Sequence, residues 1–156
     1  MGNSKIKCNQ SLLLPSEWQK IKERLLYLRE KDGSKLMKYA DVDVTVKNLV
    51  HFSFHNRVVK FYEGNELIGI VAFDISTHWW TNKEILNEVI ILCLSDTFKG
   101  FGRIAVDKLD EIAKQNKVDI ICSGCMFQKE PQMVTNLYLK KGYELRLPTY
   151  VKFLKE

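Results

Sequence analysis

Nowhere does this sequence stay apolar for the roughly 20 residues that a membrane-spanning helix needs, and its N-terminus has no apolar core of a secretion signal. It opens Met-Gly-Asn-Ser-Lys-Ile, with Ile6 where a myristoylation signal carries Ser or Thr. The expected location is the cytoplasm, with no membrane partner. Cysteine and histidine are scarce. Cys122 and Cys125 have the spacing of a zinc knuckle or a redox pair, but no second Cys or His pair follows at a suitable distance. Cys8 stands alone, and Cys93 lies in an apolar run like a small core residue. His51 and His55 sit at i and i+4 without a nearby carboxylate or third histidine. Reduced thiols and no metal are therefore expected. The Gly-Lys-Ser/Thr of nucleotide hydrolases is missing too. So are internal repeats, low-complexity tracts and linkers, which makes residues 1–156 one domain.

What is present is ordinary globular material, 46% hydrophobic and 28% charged, enough to close one core. Net charge is +5 and the pI about 9.0. That suits an anionic ligand, but the Lys and Arg residues are scattered and form no basic stripe, which disfavours a nucleic-acid partner.

Pro15 and Ser16 begin a helix, with Ser16 and Gln19 read as a capping box. Trp18, Ile21, Leu25 and Leu28 follow at steps of three and four, and Asp32-Gly33 stops them. Residues 41–56 fit either an alternating strand or a helix capped by Asp43, and the helix is preferred. Val58–Tyr62 and Leu67–Phe73 are β-rich runs joined by Glu63-Gly64-Asn65-Glu66, a hairpin turn. Glu88–Leu94 is apolar after its first residue, like a central strand buried on both faces. Ile104, Ala105, Leu109, Ile112 and Ala113 mark an amphipathic helix, and Val118–Cys122 another strand. Pro131 opens a last helix that Gly142 ends, and Tyr143–Leu147 and Tyr150–Leu154, split by Pro148, read as two closing strands. The fold class is α/β: a mixed, mostly antiparallel sheet with helices on both faces.

One loop carries chemistry. Thr97-Phe98-Lys99-Gly100-Phe101-Gly102-Arg103 lies between a buried strand and a helix. A helix start leaves backbone N–H groups unpaired at the positive end of its dipole, where phosphate oxygens fit. Glycines let the backbone come close, and Lys99 and Arg103 add charge. Residues 100–105 also match the dinucleotide pattern G-x-G-x-x-A, but that pattern wants the turn directly after the strand and more βα units than follow here.

The segment resembles motif A of the GNAT superfamily of N-acetyltransferases, Gln/Arg-x-x-Gly-x-Gly/Ala. Gly100 and Gly102 fill the glycine positions, and Thr97 stands where Gln or Arg is usual. Asn136-Leu137-Tyr138-Leu139-Lys140-Lys141-Gly142-Tyr143 is similar to the family's later Leu-Tyr-x-Lys-x-Gly-Phe segment, with Tyr143 for Phe. The likeness runs from about residue 57 to the end.

The resemblance implies acetyl-coenzyme A as co-substrate and a primary amine, on a small molecule or a protein, as acceptor. The main chain of Leu92, Cys93 and Leu94 would hold the pantetheine arm. Backbone N–H groups of Lys99, Gly100, Phe101, Gly102 and Arg103 would hold the pyrophosphate. Tyr138 stands at the position of the acid that protonates the departing thiolate, or else it is a core aromatic. Glu88 is the candidate general base, since a strand-borne carboxylate among apolar neighbours has a raised pKa; its alternative is a solvated strand end. The family's usual base position falls on Leu86, and Glu84 and His78 are reserves. Gln132 lies where an asparagine often meets the cofactor arm. Trp79 and Trp80 line an acceptor pocket or, preferably, cover the sheet edge. The alternative function is a non-catalytic binding or assembly protein on the same fold, and a homodimer stays open.

Overall fold

The computed structural model describes residues 5–124, 131–146 and 152–154. Its first strand, β1 (Ile6–Gln10), is followed by helix α1 (Pro15–Asp32). Proline has no N–H to lose and a ring that presets helical φ, so Pro15 takes the first helical position. Leu14 is then the N-cap, and Glu17 Oε1 accepts the Leu14 N–H at 2.8 Å. In place of the expected Ser16–Gln19 box only the carboxylate half of one forms, at Leu14–Glu17, because leucine has no side-chain acceptor. Gly33 ends α1 at φ 60°, its N–H donating to the Arg29 carbonyl.

After a 3-10 turn at Leu36–Tyr39 comes α2 (Val42–Phe54). The helical alternative holds, capped by Asp41 rather than Asp43: Asp41 Oδ1 accepts from the Val44 N–H at 3.0 Å. Strands β2 (Val58–Glu63) and β3 (Glu66–Thr77) form the hairpin, with Gly64 at φ 62°. Then follow β4 (Glu84–Cys93), α3 (Phe101–Gln115), β5 (Ile121–Cys122) and α4 (Pro131–Lys140). None of the helices is long and apolar enough to cross a membrane among the described residues.

The sheet runs β1-β2-β3-β4-β5, antiparallel except for the parallel β4–β5 pair. One face packs on α3 through Val59, Phe61, Val71, Phe73, Leu86, Ala105, Leu109 and Ile112. The other packs on α1 and α2 through Ile21, Leu49, Val58, Ile70 and Leu92. Helices therefore cover both faces, as the element order required.

Three sequence expectations change. β1 was not anticipated, because Lys7, Cys8 and Asn9 are exposed on this edge strand and give no apolar signal. The strand expected at Val118–Cys122 shrinks to two residues: Val118 is still bonded to the C-terminal turn of α3, its N–H donating to the Ala113 carbonyl at 2.9 Å. Residues 143–146 are not a strand; the remainder of the two closing strands, apart from residues 152–154 (also not a strand), lies outside the described residues.

β4 also carries an irregularity that periodicity could not reveal. Ala72 pairs with Ile90 but Phe73 with Glu88, so Val89 is an extra residue in the strand. A bulge shifts the alternation by one. Leu86 before it and Ile91 and Cys93 after it face the α3 core, while Ile90 and Leu92 face α1 and α2.

Candidate active site

The loop from β4 to α3 is shaped by a hydroxyl and a glycine. Ser95 Oγ accepts the N–H groups of Thr97 and Phe98, at 3.3 and 3.1 Å, and uses up those two donors. Gly100, at φ 80° and ψ 17°, then turns the chain into α3. The first helical bond back to the loop is Ile104 N–H to the Gly100 carbonyl. The amides of Lys99, Gly100, Phe101, Gly102 and Arg103 have no acceptor among the described residues, and no side chain caps the helix. Lys99 and Arg103 are exposed and form no ion pair among the described residues. Unpaired backbone donors at the positive end of a helix dipole, with two cationic residues in the same turn, are the kind of arrangement that can hold an anion.

The two glycines serve different purposes. Gly100 supplies the positive φ. A Cβ on Gly102 would come within 3.2 Å of Leu137 Cδ2, so its bareness lets α4 lie close against α3. The Phe101 side chain is buried and cannot touch a ligand; its ring meets Phe61 edge-on with centroids 5.3 Å apart. A Cβ on Gly69 of β3 would fall 2.2 Å from Phe101 Cζ. Gly69 is thus the socket in which Phe101 seats the start of α3.

Strands β4 and β5 pair at Leu86–Ile121 and Asn87–Cys122, and beyond Asn87 no described strand follows β4 on that side. The open edge includes Leu92, Cys93 and Leu94, where the pantetheine arm was expected. Part of that main chain is already engaged. The Leu94 N–H donates to the Ile68 carbonyl at 2.8 Å, and the Cys93 carbonyl accepts from Arg24 Nε at 2.9 Å. Arg24 also pairs with Asp96 at 2.8 Å, holding that carboxyl below its ordinary range. α1 thereby grips the end of β4, a link that no sequence motif signalled.

Glu88 and Tyr138 were singled out separately and lie together. The Tyr138 hydroxyl donates to Glu88 Oε2, joining α4 to β4 across 50 residues of chain. Burial raises the Glu88 pKa, more than the Tyr138 and Ser123 hydroxyls lower it. Burial and then the Glu88 charge push the Tyr138 phenol upward. Tyr143, just after α4, sets its ring edge-on to Tyr138 with centroids 5.0 Å apart, and burial pushes its phenol up to about 12. The Ser123 hydroxyl, just after β5, acts on all three groups, and its oxygen and that of Tyr143 are both buried. Sequence reading missed both. The one clue was Tyr143 itself, a hydroxyl where the resembling motif has Phe.

The remaining candidates lie apart from this cluster. Leu86 is wholly buried in the α3 core, and Glu84 is exposed at the start of β4. His78 Nε2 is bonded to Asn87 Oδ1 at 3.0 Å. Gln132 is exposed and donates to Asn136 Oδ1. Trp79 and Trp80, preferred as covers of the sheet edge, are instead 97% and 56% exposed. His51 and His55 meet edge-on with ring centroids 4.7 Å apart. No cluster of three or more His, Cys, Asp or Glu among the described residues is placed to hold a metal; Cys125 lies outside them.

No family model matches the sequence, and no curated protein does. Solved structures match over nearly the whole chain. A GCN5-related N-acetyltransferase from Ralstonia eutropha JMP134 superposes with a TM-score of 0.70 at 11% identity, covering 97% of this chain and 100% of that one. The ribosomal-protein-alanine N-acetyltransferase of Brucella melitensis biovar Abortus 2308 gives 0.65 at 14% identity, covering 96% and 100%. A GNAT family acetyltransferase of Staphylococcus aureus gives 0.60 at 17% identity, covering 96% and 98%. The chain has the fold of the GNAT acetyltransferases.

Proposed function

We propose that this protein is an N-acetyltransferase that moves an acetyl group from acetyl-coenzyme A to a primary amine. One observation carries the reading: the unsatisfied amides at the start of α3 and the Glu88–Tyr138 pair lie at two ends of one open strand edge. Cys93 sits opposite Gly69, against which Phe101 packs, so the cradle adjoins the end of β4. Glu88 lies five residues upstream, about 16 Å at ~3.3 Å per residue. An extended pantetheine arm laid along β4 spans that distance and delivers a thioester to the pair.

In this reading the amides of Lys99 to Arg103 bind the diphosphate, with Lys99 and Arg103 at its flanks. Glu88 takes a proton from the acceptor ammonium, and Tyr138 supplies one to the departing sulfur. The free β4 edge holds the arm in line, so the attack is made between fixed partners.

Calorimetry with acetyl-coenzyme A tests the cradle. Gly100→Glu places a carboxylate among the phosphates, and binding should fall beyond detection. Gly100→Asn tolerates positive φ without adding charge, and should keep affinity within about tenfold, or ~1.4 kcal/mol. Equal affinity in wild type and Gly100→Glu would end the proposal.

A further inference from the structure

The Tyr138 hydroxyl has one proton, and in this structure it is committed to Glu88 Oε2. While Glu88 is a carboxylate, the same proton is not on offer to a sulfur. Base and acid are therefore in conflict if each acts alone. From this bond we infer that Glu88 and Tyr138 work as one proton relay, in which the carboxyl's uptake of the acceptor's proton releases the tyrosine's own. The inference rests on the acetyltransferase reading and adds the order in which its protons move.

The chemistry balances without a further reagent. An N–H bond of the acceptor ammonium breaks and its proton joins a Glu88 oxygen. The carboxyl, now a donor, turns the hydrogen bond round so that Tyr138 Oη accepts. The freed amine nitrogen forms a C–N bond to the thioester carbonyl carbon; as the C–S bond then breaks, the Tyr138 O–H proton passes to the sulfur and the Glu88 proton passes to Tyr138 Oη. Glu88 returns to a carboxylate, and the second proton lost by nitrogen leaves to solvent.

The surroundings favour such a reversal. Val89 bulges out of β4, and Glu88 before it keeps the face of Leu86, toward α3 and α4. Among the described residues, the groups that act on Glu88 are Tyr138 from α4 and the Ser123 hydroxyl after β5; Tyr143 lies beside them, itself influenced by Asp110 of α3. None of these is a cation, so no fixed positive charge pins Glu88 in its ionised form.

The test has two arms. In the ligand-free protein, Raman difference spectra of wild type minus Tyr138→Phe isolate the Tyr138 ring doublet, which separates a phenol that donates from one that accepts. Tyr138 should pass from donor to acceptor as pH falls, with the midpoint of the Glu88 carboxyl seen in a wild type minus Glu88→Gln pair. A Tyr138 that stays a donor throughout, or changes at another midpoint, overturns the relay. In the second arm, kcat is measured with acetyl-coenzyme A and whichever amine of a polyamine, aminoglycoside and peptide panel the wild type acetylates. Glu88→Gln and Tyr138→Phe should each lose about 100-fold or more, and the double variant should fall within about threefold of the worse single one. Multiplying losses overturn the relay and leave the acetyltransferase reading intact. A wild type that binds no acetyl-coenzyme A sinks that reading, while the Raman arm still decides the exchange.

Discussion

Glu88 sits at odds with its surroundings, and that conflict has a thermodynamic signature. Burial raises its folded pKa above the ordinary 4.5. A group raised on folding favours the native state below its unfolded value, and that contribution is lost as pH rises through the folded value. At neutral pH an ionised Glu88 therefore subtracts from stability. Glu88→Gln keeps an acceptor for the Tyr138 hydroxyl and never ionises. Its melting temperature should match wild type at acidic pH and exceed it progressively toward neutrality, while activity drops about 100-fold or more. Melting curves across that pH range, beside an acetylation assay, check both. A variant less stable than wild type at neutral pH would mean that the carboxylate is structural. Sequence alone made Glu88 visible as a carboxylate opening an apolar strand, and motif likeness made Tyr138 visible. Their bond was not legible, because nothing in a chain fixes how α4 packs on β4 across 50 residues.

At the scale of elements, legibility followed the strength of the apolar pattern. α1 and α2 bury stripes at helical spacing, and β2 and β3 are dense in β-branched and aromatic residues, so these elements could be read. β1 is a half-wet edge, β5 has two residues, and the Val89 bulge leaves no compositional mark. The glycine loop was found for a partly different reason than the structure gives. Gly100 satisfies backbone geometry, Gly102 satisfies α4, and the anchor of the loop is Phe101 in the socket of Gly69. That socket ties strand packing to the cradle. Gly69→Ala forces a methyl into the Phe101 ring, and overpacking of this kind costs about 1–3 kcal/mol. It also moves the first turn of α3. Denaturant unfolding should show the loss, and calorimetry should show acetyl-coenzyme A binding weakened beyond what the remaining folded fraction explains. Weaker stability with unchanged affinity would mean that α3 relaxes without disturbing its amides.

The molecule as a whole carries two buried polar clusters, one on each face of the sheet. Glu88 and Tyr138 occupy the side of α3 and α4, while a second buried cluster serves the side of α1. There Lys60 of β2, 3% exposed, meets Glu17 of α1, 7% exposed, at 2.9 Å and also donates to the Leu12 carbonyl at 2.8 Å. The Tyr62 hydroxyl donates to the other Glu17 oxygen. Glu17 is desolvated, which raises its pKa, but the bonds from Tyr62, Leu14 and Lys60 outweigh burial and hold it below 4.5. A lowered carboxyl contributes stability that is complete above its unfolded value and fades as pH falls through the folded one. Removing one member of a buried pair strands the other, at about 3–5 kcal/mol. Lys60→Met should accordingly lose that much at pH 7. Its deficit should shrink as pH falls below the ordinary carboxylate range, because a protonated Glu17 no longer needs the cation. Since Glu17 is also the N3 residue that accepts from Leu14, the charged pair fixes the entry to α1, and α1 carries the Arg24 that grips Cys93. The coupling runs from core to cleft, so Lys60→Met should weaken acetyl-coenzyme A binding even where the protein remains folded. Urea titrations from pH 7 down to about pH 3, with binding measured at pH 7, decide it; a deficit independent of pH would reduce Lys60 to a packing residue.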